Sequence, residues 1–300
     1  MDQSDASHDP DEPVGAVLAR MRRAKGLTGG DLGRLAGMSQ PKVSRIENDK
    51  GVVDPEDIRR LARALGAGEE LARQLVERAE TSQNRMTDWR PSPINMAGNQ
   101  RAVGTWEAAV ATLRCFDPTV IPGLLQTSEY ARTMLTTFQT YWIPELGGNP
   151  VSAVLEAVSA RVRRQEILSD VTKSFRFVVT EAVLKNRFCS PDDMVGQVRR
   201  LRELNAQYDN VSIRIVPEDA KLAIPPLHGF ELFDHSQVLV DLFNTGLSSQ
   251  GRADIRLYRE VFDVFEAESV LDIDPILDRY HRYYARQLLS DGPGEPRTAH

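Results

Sequence analysis

Side chains able to hold nucleic acid crowd the stretch from Thr28 to Lys50. The Gln40 amide can donate to N7 and accept from the N6 amino group of adenine, a two-point match that reads one base edge. Lys42, Ser44 and Arg45 follow it and can reach phosphates or bases, Arg45 being suited to guanine as well. Asn48 and Lys50 suit backbone phosphates, and Thr28 and Ser39 each offer a hydroxyl that caps a helix or adds a phosphate contact. Glu47 stands among them, but phosphate repels a carboxylate, so it reads as a structural ion-pair partner.

These residues need short helices to aim them, and the punctuation supplies them. Val14, Val17, Leu18 and Met21 fall at helical spacing before Gly26. Thr28 and Asp31 form an acidic capping box ahead of Leu32 and Leu35, which supply the apolar face of a short helix ending at Gly37. Ser39 opens the next helix, tolerating Pro41 in its first turn and turning Val43 and Ile46 inward. Asp54 and Pro55 start a fourth helix that carries Ile58, Leu61, Ala62 and Leu65 to Gly66, and a fifth runs from about Glu69 to Glu80. The outward positions of the third helix are then Gln40, Lys42, Ser44 and Arg45.

Charge is distributed to match. The net charge is −6, yet residues 14–66 carry +5, against −5 on residues 1–13 and −6 on residues 67–300. A basic module in an acidic chain attracts phosphate locally while the body stays off it. No leader segment or spanning apolar run is recognisable, so a cytoplasmic, nucleoid-associated protein with no membrane contact is expected. Cys115 and Cys189 lie far apart with no CxxC or His spacing, which leaves reduced thiols and no metal site or cofactor as the expectation.

The run 27–66 resembles the lambda-repressor-like, or Xre-type, helix-turn-helix family, through its SQxxVSRIE helix and its Pro-initiated helix ending in LG. That resemblance implies binding to double-stranded DNA, with the helix from Gln40 in the major groove, and a homodimer reading two half-sites. Gly29 departs from the pattern, because the family usually places there a glutamine that contacts phosphate and braces the recognition helix. Further on, VIPGLLQTSEYAR (120–132), RVRRQEIL (161–168) and FVVTEAVLKNRF (177–188) resemble the domain of unknown function carried by WhiJ-like, antitoxin-like regulators of actinomycetes. This implies a transcription regulator, expected to be a repressor, that works with a small partner protein encoded nearby or a signal. An antitoxin-like protein that mainly sequesters such a partner is the alternative, and an enzyme fused to a DNA-targeting module a remoter one.

The expected organisation is an acidic tail (1–13), a mainly α helix-turn-helix bundle (14–80), a linker (81–100), a larger α+β domain with a small sheet (101–289) and a second tail (290–300). Helices are expected over 101–113, 128–138, 151–168, 191–208, 251–268 and 275–289. Strands are expected at 175–179, 211–216, 229–233 and 238–243, the last two as a hairpin. Glu181, Glu231, Asp241, His228 and His235 lie at or near strand ends without any catalytic or metal spacing, so no enzyme is expected. Trp106, Tyr130, Tyr141 and Trp142 read as core ahead of a small-molecule pocket. The arginines of 161–165, with Arg199, Arg200 and Arg202, read as a solvated helix face or a surface for an acidic partner.

Overall fold

The computed structural model describes residues 12–48, 54–83, 86–89, 95–142, 150–185, 188–242 and 245–290. The chain divides into two compact units, one comprising residues 1–86 with 249–253 and the other residues 87–248 with 254–300. Both terminal tails expected from composition fall almost wholly on residues outside the described set.

Among the described residues the first unit holds five helices: α1 (Val14–Ala24), α2 (Gly29–Ala36), α3 (Gln40–Glu47), α4 (Pro55–Ala64) and α5 (Glu69–Gln83). Val17, Leu18, Leu32, Val43, Ile58, Leu61 and Leu75 are buried in one core, so the helical spacing names its members directly. Leu35 is a correction. It is 62% exposed, and Ala36 takes its place in the core because α2 turns its i, i+4 pair Leu32 and Ala36 inward. Gly37 ends α2 at φ 64°, a left-handed cap that favours glycine. Gly33 serves a different need, since a Cβ there would stand 2.7 Å from the Met38 carbonyl oxygen; only glycine lets the turn close onto α2.

The second unit is α+β. Its elements are β1 (Thr87–Trp89), α6 (Met96–Ala109), β2 (Thr112–Asp117), α7 (Ser128–Trp142), α8 (Pro150–Arg164), β3 (Ser174–Thr180) and α9 (Pro191–Gln207). There follow β4 (Val211–Val216), β5 (Phe230–Phe233), β6 (Gln237–Asp241), β7 (Gly246–Ser249), α10 (Arg252–Ala267) and α11 (Asp274–Ser290). Among the described residues the strands form a seven-stranded sheet in the order β1-β7-β6-β5-β2-β3-β4. Strands β2, β3 and β4 run parallel, as their helical crossovers require, while β5 is antiparallel to both β2 and β6. The expected hairpin across 234–237 is present, and the Asp234 carboxylate accepts from the Thr112 amide at 2.6 Å, fixing the turn against β2.

One sheet face buries Leu113, Cys115, Phe175, Phe177 and Ile213 with Val198, Leu201 and Leu277 from α9 and α11. On β2's other face Phe116 stacks on Phe265 of α10 at 4.0 Å. Three strands were not expected. The helix anticipated over 101–113 ends at Ala109, and β2 follows with no glycine or proline to announce it; β1 and β7 are short. The stretch 81–100, expected as a linker, holds the end of α5, β1 and the first turn of α6. Tyr130 is fully buried and its hydroxyl accepts from the Ile121 amide at 3.1 Å, while Trp106 packs edge-on against Phe233, so both serve the core. The side chains of Tyr141 and Trp142 lie outside the described residues. No helix among the described residues is long and apolar enough to cross a membrane.

Candidate nucleic-acid interface

The interface is built from α2, the turn after it, and α3. Glycines at the start of α2 weaken a helix, and the chain compensates with a complete capping box. Thr28 Oγ1 accepts from the Asp31 amide at 3.1 Å, and the Asp31 carboxylate accepts from the Thr28 amide at 3.0 Å and its hydroxyl at 2.6 Å. Those hydrogen bonds hold the Asp31 carboxyl down at about 2. Thr28 is therefore occupied as a cap. Ser39 occupies the N-cap position of α3 but its side chain accepts no capping hydrogen bond, contrary to the cap reading, and it is exposed.

Gln40 lies at the first position of α3, exposed, with its side chain over Gly29. A Cβ on Gly29 would stand 3.7 Å from Gln40 Cγ, an ordinary contact. The bracing side chain of the resembled family is absent, and the space between Gly29 and the glutamine would hold an ordinary Cβ. Arg45 is exposed and has no ion pair among the described residues. Ser44 is half-buried, and its carbonyl accepts from the Asn48 amide group at 2.6 Å, tying the end of α3. Lys50 lies outside the described residues.

Lys42 also makes an ion pair that its sequence position did not announce. Its ammonium sits 2.6 Å from the buried Asp57 carboxylate at the start of α4, so it ties α3 to α4. Glu47 is the ion-pair partner its charge suggested, accepting from Arg22 at 2.6 and 2.9 Å. Arg22 also donates to the Leu27 carbonyl at 2.8 Å, so one guanidinium joins α1, the loop and α3. A polar depression of about 310 Å³ opens beside this clamp, lined by Arg23, Gly29, Gln40, Ser44 and Asn48 among others. Arg23 was missed from sequence. Adjacent helical residues point about 100° apart, so when Arg22 faces inward Arg23 must face the depression, and it is exposed.

A family model described as a helix-turn-helix domain matches residues 13–85, and one described as a domain of unknown function, DUF5753, matches residues 100–272, more than half of the chain. The chain belongs to the DUF5753 family. No curated protein matches it. Among solved structures it is similar to TrmBL2, an archaeal chromatin protein, at 13% identity over 88% of this chain and 96% of that one, with a TM-score of 0.30. A helix-turn-helix domain thus precedes the DUF5753 domain in this chain, and the exposed face of α3 belongs to the former.

The remaining chemistry-bearing residues lie within the DUF5753 chain's second unit. Glu181 is buried and satisfied, accepting from the Tyr280 hydroxyl at 2.7 Å, Arg279 at 2.6 Å and the Glu218 amide at 3.1 Å. His235 is exposed in the hairpin turn, and His228 lies 3.4 Å from the Tyr258 hydroxyl. Among the described residues no group of three or more His, Cys, Asp or Glu is placed to hold a metal ion.

Proposed function

We propose that this protein is a sequence-specific, DNA-binding transcription regulator of the Xre type, a repressor that binds near-palindromic operators as a homodimer on the nucleoid of an actinobacterium. Its DUF5753 domain binds a small partner protein or a signal and performs no catalysis. One observation carries the reading: α3 spends Val43, Ile46, Lys42 and Glu47 on its own fold and leaves Gln40 and Arg45 outward, as a recognition helix in the major groove must. Ser39, Asn48 and Arg23 flank that face and hold phosphates.

The test separates reading from holding. Gln40→Ala removes the amide facing a base edge, so discrimination at one base pair falls by about 1–3 kcal/mol while nonspecific affinity changes little. Competition binding against single-base operator variants measures it. An unchanged base preference removes Gln40 from the reading face.

A further inference from the structure

The first turn of α2 meets the first turn of α3 at a residue with no side chain. Gly29 is the first residue of α2 and Gln40 the first of α3. A Cβ on Gly29 would stand 3.7 Å from Gln40 Cγ and 3.8 Å from Gln40 Nε2, so the amide lies beside a place that a side chain could fill. Both residues line the polar depression of about 310 Å³, and the space beside the amide continues into it. The Gln40 side chain makes no hydrogen bond among the described residues. Nothing in α2 therefore holds either end of the amide. Gly30 has no part in this, since a Cβ there would meet Thr28 Oγ1 at 3.7 Å and no atom of Gln40.

The consequence lies in what an unheld amide reads. The last torsion of a glutamine side chain is broad and roughly two-fold, so the amide turns over at little cost unless a neighbour fixes it. In one orientation it accepts from N6 and donates to N7 of adenine. Swung so that only its NH2 group faces the base, it donates to N7 and O6 of guanine, both acceptors. Cytosine and thymine each offer one hydrogen-bonding group in the major groove, and so match the amide at one point.

We propose that Gly29 is a specificity-determining residue. By leaving the Gln40 amide unheld, it makes the protein accept either purine at the position that Gln40 reads, where a held amide selects adenine. The inference rests on the reading of α3 as a recognition helix and deepens it. A glutamine at position 29 supplies the missing hold, because its Cβ fits at an ordinary contact distance and its amide extends along the depression toward Gln40.

The test is competition binding of the full chain to duplexes carrying the motif that it selects from a random library, with all four bases placed at each pair of the half-site. At one pair the wild type is expected to bind the adenine and guanine duplexes within about threefold of each other, and both pyrimidine duplexes about tenfold more weakly. Gly29→Gln is expected to weaken guanine relative to adenine by about tenfold. Gly29→Ala and Gly30→Ala stiffen the same turn without a hydrogen-bonding group, and leave the ratio of the two purines unchanged. Adding Gln40→Ala to Gly29→Gln removes the gain, as a direct coupling requires. Cooperative unfolding followed by circular dichroism shows that each variant is folded. A wild type that already separates the purines by about tenfold overturns the proposal whatever the variants do. An unchanged ratio in folded Gly29→Gln overturns it as well. If Gln40→Ala abolishes the purine preference while Gly29→Gln changes nothing, only the role of Gly29 falls. If Gln40→Ala leaves every base preference intact, base reading by Gln40 falls with it.

Discussion

Replacing Glu47 by alanine lowers the stability of the α1–α5 unit by about 3 kcal/mol, because it strands Arg22 in a largely buried position with only the Leu27 carbonyl to receive its protons. Side-chain exposure is 16% for Arg22 and 9% for Glu47, so solvent replaces little of the lost attraction. A loss of that size moves the unfolding midpoint of a unit this small by roughly 10 °C or more. The same change uncouples α3 from α1, so operator binding falls with the folded fraction. Thermal unfolding of the full chain, followed through its first transition, measures the effect. The double change Arg22→Met with Glu47→Met recovers much of the loss, since two apolar groups need no counter-charge. A shift below about 1 kcal/mol for Glu47→Ala would show that the pair does not hold the bundle.

The second large effect is a pH dependence in the α+β unit. Burial raises the carboxyl of Glu107 to about 7 and that of Glu231 to about 8, while Arg164 and Arg161 pull Glu107 the other way. Asp117 is also raised by burial. The folded state therefore holds protons that the unfolded chain releases near its ordinary carboxylate value. The stability these groups contribute is fully present below about pH 4.5 and is lost as pH rises through 7 to 8. The unit becomes less stable by roughly 3 kcal/mol between pH 5 and pH 9, after discounting the coupling between the two sites. Two other groups face the cluster and lie outside this window: Cys115, pushed far up by burial, and Arg161, brought down to about 10. Urea unfolding at intervals of pH reads the slope directly. Glu231→Gln flattens it, and a slope that persists unchanged in that variant assigns the titration to other groups.

The helical unit was legible because its boundaries are chemical. Thr28 with Asp31, Gly37, and Asp54 with Pro55 mark starts and stops that depend on local backbone needs, and the structure uses each of them as marked. The ion pair of Lys42 was not legible for the opposite reason. Its partner Asp57 belongs to another helix, and no local spacing relates an exposed-looking lysine to a buried carboxylate on the next element. Leu35 shows the limit of periodicity in a helix as short as α2, where one core contact decides whether the i+3 or the i+4 residue turns inward.

The sheet repeats the lesson at longer range. Glu231 and Asp241 stood out in the sequence as acids near strand ends, but nothing there joined them to Asp117, because no strand was expected over 112–117. Their meeting depends on the register of β2 against β5 and β5 against β6. Glu107 falls within the helix expected over 101–113, and no local spacing relates it to Arg164 of α8. The arginines of α8 likewise looked like a solvated strip until Gln100 and Gln126 received Arg161.

Repeated selection from a random duplex library measures whether the outward face of α3 reads duplex DNA. The intact chain is expected to enrich one recurrent, near-palindromic motif. The Gln40→Ala, Arg45→Ala double variant is expected to unfold at the same midpoint and to enrich none. Failure of the intact chain to select any motif, or selection of the same motif by the double variant, would show that this face does not read DNA.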